Sequence, residues 1–283
     1  MGRIMVRRQV TRVSVGGRSA SRSDVLAAEE PLEIRVGGRQ LAVTMRTPGH
    51  DVELAAGFLV SEGVVAHAGD VAAARHCAGI DGENTYNVLD VTLGPGIAAP
   101  APELSRSLYT TSSCGVCGKA SIEAVETVSH FDVAGDPATL DLAALVGYPD
   151  LLRAEQSVFD KTGGLHAAAL FAPDGSLVVA REDVGRHNAV DKVIGHALLA
   201  GLLPLRGHTL VVSSRASFEL VQKATMAGIP IFAAVSAPSS LAADLAEDRG
   251  ITLVGFLRGE SLVVYAHGER LVDSTAPALV AAP

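Results

Sequence analysis

The chain has 283 residues, 48% of them hydrophobic but only 4% aromatic, and contains no Trp. That is enough apolar material for one large or two small domains with a real core, and it excludes bulk disorder. The formal net charge is −8, from 23 Lys and Arg against 31 Asp and Glu, which argues against general nucleic-acid binding because a phosphate backbone requires a basic face.

The chain opens with an Arg-rich stretch, MGRIMVRRQVTRVSVGGRSASRSD. It lacks the apolar segment of a signal peptide, and no apolar segment follows Arg7-Arg8, so an export signal is rejected and a cytoplasmic placement is expected. The stretch reads as a mobile tail leading into a first strand, with enough positive charge to touch an acidic partner. Residues 31–47 predict a hairpin, with Ile34 and Val36 alternating with charged neighbours, a turn at Gly37-Gly38, and Leu41 and Val43 resuming the pattern. Asp51 opens a helix that Gly63 ends, and His50 and Asp51 are expected to cap it. Residues 85–93 predict a strand, with Cys77 an ordinary residue at a strand edge. The Gly- and Pro-rich segment 94–103 reads as a linker, dividing a smaller α+β unit (1–103) from a second domain (104–283).

In the second half, a helix is expected from Lys119, and residues 166–181 predict a hairpin turning at Asp174-Gly175. Residues 188–203 are helical, with Asn188 as N-cap. Strand and helix then alternate through HTLVVSS, SFELVQKATMAG, IPIFAAVS, LAADLAEDRG and ITLVGFLR. The pattern indicates a parallel or mixed sheet with helices on its faces. No run of about 18 apolar residues is present, so no spanning helix is expected.

The cysteines carry the most chemical information. Three are too few for a disulfide scaffold. Cys114 and Cys117 stand in TTSSCGVCG, where CxxC spacing is open to four readings: a zinc ligand pair, a redox dithiol, two buried small residues, or a nucleophilic sulfur carrier. A second paired cluster for zinc is lacking. Flanking glycines and hydroxyls do not resemble core, and Lys119 at a helix start would favour a thiolate. The Arg181–Asn188 segment ends a strand and opens a helix through Gly185. Its Arg186 and His187, with Lys192, suggest an anion seat, and Asp183 an acceptor for a ribose or base. Ser213-Ser214-Arg215-Ala216-Ser217 and Ser236-Ala237-Pro238-Ser239-Ser240 follow two apolar strands at their carboxyl ends, where open α/β sheets bind ligands. His166, after Gly163-Gly164, reads as a proton donor or a hydrogen-bonding lid. Neither GxxxxGK[ST] nor GxGxxG occurs.

Taken together, TTSSCGVCGKASIE, TGGLHAAALF, REDVGRHNAVDKVIG, SSRASFELVQKA and AVSAPSSLAADLAE, with PGHDVELAAGFLVSEG before them and TLVGFLRGESLVVY after, resemble the formate dehydrogenase accessory sulfurtransferase family (FdhD/NarQ). The resemblance implies a cytidine-deaminase-like α/β domain, a mixed sheet with helices on both faces, beside a smaller α+β domain. It implies a sulfurtransferase that takes sulfane sulfur from a cysteine desulfurase and passes it to the bis-molybdopterin guanine dinucleotide form of the molybdenum cofactor, for formate dehydrogenase. The persulfide would form on Cys114, with Cys117 assisting. The cofactor-binding segment would be Phe256, Leu257, Arg258, Gly259, Glu260 and Ser261, and a homodimer is implied. With Glu260, Ser261, Leu262 and Val263 where relatives often carry a basic residue or Asn, phosphate contacts would rest on backbone and on Arg258, joined by Arg186, His187, Ser214 and Arg215. No H-x-E with P-C-x-x-C accompanies the fold, so deaminase chemistry is not implied. Non-catalytic delivery of the cofactor and a zinc-stabilised interaction module are the rival functions.

Overall fold

The computed structural model describes residues 4–78, 85–100 and 129–274. Cys114, Cys117 and the expected helix from Lys119 lie outside the described residues, as does the last part of the expected linker.

The first half holds strands β1 (Met5–Val13), β2 (Ser19–Ala27), β3 (Glu30–Val36) and β4 (Arg39–Arg46), helix α1 (Asp51–Ser61), and strands β5 (Val71–His76) and β6 (Val88–Leu93). The predicted hairpin is β3–β4. Val36 faces Arg39 across the two-residue Gly37-Gly38 turn, and both glycines have positive φ, which a type I′ turn demands. With β6 and β5 they form a four-stranded sheet in the order β4-β3-β6-β5. Cys77 follows β5 directly, its N–H bonded to the Val88 carbonyl.

Two expectations for this half are corrected. The Arg-rich stretch is not a tail: β1 and β2 pair antiparallel over nine rungs as a separate two-stranded ribbon. The cap of α1 also differs. His50 is the N-cap residue but makes no side-chain capping bond, while Asp51 takes both ends of the buried Arg46 guanidinium at 3.0 and 3.1 Å.

The second half contains β7 (Leu140–Asp141), α2 (Leu142–Glu155), α3 (Phe159–Thr162), β8 (His166–Phe171), β9 (Leu177–Asp183), α4 (Arg186–Leu199), β10 (Thr209–Val212), α5 (Phe218–Met226), β11 (Ile231–Ala234), α6 (Ser240–Arg249), β12 (Thr252–Arg258), β13 (Ser261–Ala266) and β14 (Leu271–Val272). Six strands make one mixed sheet in the order β13-β12-β11-β10-β8-β9. Strands β10, β11 and β12 run parallel, and the outer pairings are antiparallel.

Side chains alternate across that sheet, as a period of two requires. Ala168, Leu170, Leu210, Val212, Phe232 and Ala234 enter a core shared with α1, α4, α5 and α6. Ala167, Ala169, Phe171, Val211, Ile231 and Ala233 enter a second core under Leu145, Tyr148 and Leu152 of α2. Helices therefore cover both faces, the α/β class expected. Among the described residues no helix is long and apolar enough to cross a membrane.

The first core also takes in Leu32, Ile34 and Leu89 of the small sheet, so the described parts of both halves share it. Their tightest join is α1 against α4. A Cβ built on Gly57 would stand 1.8 Å from the Asp191 carbonyl oxygen, and one on Gly195 1.8 Å from that of Glu53. Only glycine lets the two backbones come so near.

Candidate functional site

The carboxyl ends of β10 and β11 lead into residues 213–217 and 235–239, and β12 ends with residues 256–258 before the turn at Gly259-Glu260. At the same end β8 begins with His166, β9 finishes with Asp183, and α4 and α5 begin. The topology thus gathers His166, Arg186, His187, Ser214, Arg215 and the Phe256–Ser261 segment at one rim. The two Ser turns lie side by side, bridged between Ala216 and Pro238, with the Ser239 N–H on the Ala216 carbonyl.

The charges of residues 181–192 divide sharply. Arg181 is bound to Glu53 by two hydrogen bonds of 2.6 and 2.7 Å. Glu182 accepts the Val158 and Phe159 N–H groups at the start of α3. Lys192 does not join the anion seat: it is buried and donates to Asp183 Oδ2 at 2.6 Å and to the Thr47 carbonyl at 2.9 Å. Asp183, fully buried, has no oxygen left for a ribose or base. Its Oδ2 also accepts the Thr47 N–H, and its Oδ1 accepts the Gly185 N–H and the Asn188 amide. Asn188 is not the N-cap either; α4 starts two residues earlier, with Gly185 capping without a side chain. The Asn188 side chain bonds inward to Met45 and Thr44.

Within this segment, Arg186 and His187 are left at the rim. Arg186 Nε and His187 Nε2 are buried atoms with no hydrogen-bond partner among the described residues. The nearest acid to His187 is Glu219, 3.7 Å away, which is ion-pair distance but longer than a hydrogen bond. Burial pushes the Glu219 carboxyl up, yet His187 and Ser217 beside it outweigh that and hold it at about 2. Burial, then the nearby Arg186 and His187, lowers the pKa of His166, which favours the neutral imidazole. Arg215 is exposed. Arg258 is exposed too, anchored by its Nε to the Val235 carbonyl at 2.8 Å.

The other expected residues are distributed unevenly. Phe256 presents a ring that is 42% exposed, on a backbone with φ of 51°. Beside it, a Cβ on Gly255 would press within 2.8 Å of Pro238 and 3.0 Å of Tyr265, so the β11 turn packs directly on β12. Leu257 turns into the core beneath α2 and offers the rim only its backbone. Gly259, Glu260 and Ser261 are exposed at the β12–β13 turn. Ser214 is buried and its hydroxyl is bonded to the Arg215 carbonyl. Ser213 accepts the Ala167 N–H, and Ser239 caps α6.

An α/β protein with a cationic rim at the carboxyl ends of its parallel strands belongs to the open-sheet class, whose ligands, where they bind, sit at that end. The model of the FdhD/NarQ family matches residues 27–272, and the chain belongs to that family. It is 60% identical over 267 residues to a protein of Mycolicibacterium paratuberculosis named a sulfur carrier protein, covering 94% of this chain and 98% of that one. A Streptomyces avermitilis protein of the same name is 58% identical over 281 residues, 98% of this chain and 99% of the other. In structure the chain resembles a crystal structure described as a formate dehydrogenase accessory protein from Desulfotalea psychrophila. The TM-score is 0.74 at 25% identity, covering 95% of this chain and all of that one.

Proposed function

We propose that this protein is a cytoplasmic, homodimeric sulfur carrier for formate dehydrogenase, which accepts sulfur on Cys114 and transfers it to a molybdenum cofactor bound as substrate at the rim. The observation that carries the reading is identity of about 60% over nearly the full length to proteins named sulfur carriers, in a chain with Cys-Gly-Val-Cys at 114–117.

The Cys114 thiolate attacks the outer sulfur of a cysteine desulfurase persulfide. A new S–S bond forms, the donor leaves as a thiolate, and Cys114 becomes a persulfide at unchanged overall oxidation level. Delivery to the metal as sulfide needs two electrons. Cys117 supplies them together with Cys114: its thiolate attacks the inner sulfur, the outer sulfur departs as sulfide, and the two cysteines are left as a disulfide that a cellular thiol then reduces.

The rim suits the bis-molybdopterin guanine dinucleotide form. Arg186, Arg215 and Arg258 supply positive charge for its phosphates, His187 stands beside them as a hydrogen-bonding ring, and the start of α4, capped by no side chain, supplies N–H groups. The exposed Phe256 ring offers a stacking surface for guanine or pterin. A local cationic rim explains how a chain of net charge −8 holds a polyanion.

Intact-mass measurement after incubation with a cysteine desulfurase and free cysteine tests the carrier step. One sulfur adds to wild type and to Cys117→Ala but not to Cys114→Ala. Full formate dehydrogenase activity with Cys114→Ala would leave only delivery of the cofactor, and stoichiometric zinc lost on Cys117→Ala would make the loop a metal site.

A further inference from the structure

The β1–β2 ribbon is used by nothing described so far. All but its last residue lies ahead of the residues that match the family model, and its strands pair only with each other. Its root touches α3 through β2. From Thr11 to Ser23 every residue is exposed.

Its charge runs against the rest of the molecule. Residues 5–27 hold five Arg and one Asp, net +4; the whole chain carries −8, so the remainder carries −12. The register places Val6, Arg8, Val10 and Arg12 of β1 on one face, across from Leu26, Asp24, Arg22 and Ala20 of β2. That face therefore interleaves three Arg with apolar side chains and carries one acid, Asp24, opposite Arg8. Asp24 meets Arg22 at 3.3 Å; among the described residues neither Arg8, which stands across from Asp24, nor Arg12 makes an ion pair. Val6 and Leu26 remain 38% and 40% exposed, and a shallow pocket lined by Val6, Arg8, Leu26, Ala27, Ala28, Glu29 and Glu30 opens at the root, so the cationic face begins beyond two carboxylates.

Length gives this arrangement its use. Nine extended residues reach roughly 30 Å, several times the screening length of about 8 Å at physiological salt. The outer half of the ribbon is electrostatically separate from the acidic body. An isolated two-stranded hairpin is also only marginally stable in water and gains from a third strand or a covering surface.

We propose that this ribbon is a docking arm for an acidic protein partner: an extended segment alternating carboxylate and apolar side chains, which lies on the Arg8–Arg12–Arg22 face. Arginine forks grip its carboxylates two bonds at a time, and Val6, Val10 and Leu26 take its apolar groups. The arm works independently of the sulfur chemistry, so the fate of Cys114 does not decide it.

Fluorescence anisotropy tests it on the full-length protein, with three labelled probes: a short peptide alternating Glu and Val, the same peptide with Gln for Glu, and a short DNA duplex. The Glu peptide binds, the Gln peptide does not, and added salt weakens binding. The variant Arg8→Glu/Arg12→Glu/Arg22→Glu binds the Glu peptide roughly tenfold to a hundredfold less tightly while its melting temperature is unchanged and Cys114 still gains sulfur. Equal binding by variant and wild type overturns the proposal. So does tighter binding of the duplex, which makes the arm a nucleic-acid reader. Loss of a dimer in the variant, seen by analytical ultracentrifugation, assigns the arm to a second copy of this chain and likewise overturns it.

Discussion

The meeting of α1 and α4 offers the sharpest test of how the molecule holds together. In Gly195→Ala the new methyl would start 1.8 Å from the Glu53 carbonyl oxygen, where ordinary contact begins at 3.4 Å. The obstacle is backbone, so no side chain can swing aside, and the helices must part by about 1.6 Å. A radial gap of even 1 Å forfeits up to half of the dispersion energy between facing atoms. The atoms affected are those of Leu54, Val190, Val193 and Ile194, all buried. Overpacking of this kind costs about 3 kcal/mol at its usual upper end, against which alanine recovers about 1 kcal/mol of helix propensity. The net loss is about 2 kcal/mol, a fall in melting temperature of roughly 4–8 °C. Gly147→Ala in α2 is the control, because a Cβ there meets nothing within 4 Å; it should raise stability by up to about 1 kcal/mol. Thermal unfolding followed by circular dichroism compares the two. A Gly195→Ala protein that melts at or above wild type would refute the reasoning.

Asp183→Asn leaves Lys192 buried without its counter-charge and should cost about 3–5 kcal/mol, visible as a lower urea midpoint; adding Lys192→Met should recover part of that loss. Glu53 is held well below the usual carboxylate range, burial opposing and the bonds from Arg181, His50 and His196 prevailing, and Glu219 is held at about 2. Their folded values lie below an unfolded value of about 4.3, so their contribution to stability is complete above that pH and is lost as pH falls toward 2. Stability measured across that range should decline less steeply in Glu219→Gln; an unchanged slope counts against the assignment. Phe256→Gly removes a left-handed backbone cost of about 1 kcal/mol together with the exposed ring. It should melt no lower than wild type yet bind guanosine diphosphate more weakly by calorimetry.

Elements with a strong local signal were legible in advance. Gly37-Gly38 and Asp174-Gly175 mark hairpins because few residues tolerate their turns, and the runs 209–212, 231–234 and 252–255 are apolar because the sheet buries them on both faces. The ribbon was missed because Arg, Ser and Thr fill it, and its strands face water instead of a core. The two-residue strands β7 and β14 are too short for any periodicity, and Pro149 inside α2 breaks its helical pattern. The rim was legible as a set of turns after strands. Which of its charges were free was not, since that depends on partners far away in sequence: Thr47 for Asp183, Glu53 for Arg181. A charged run shows its residue types but not which are already neutralised inside.

The glycine crossing also bears on motion. With backbone against backbone at Gly57 and Gly195, and Thr47 and Ser61 of the first half bonded to Asp183 and Asp191 of the second, the small sheet cannot swing over the large one like a jaw. The join ties the two sheets into one frame, on which the rim is held at a fixed distance from the small sheet.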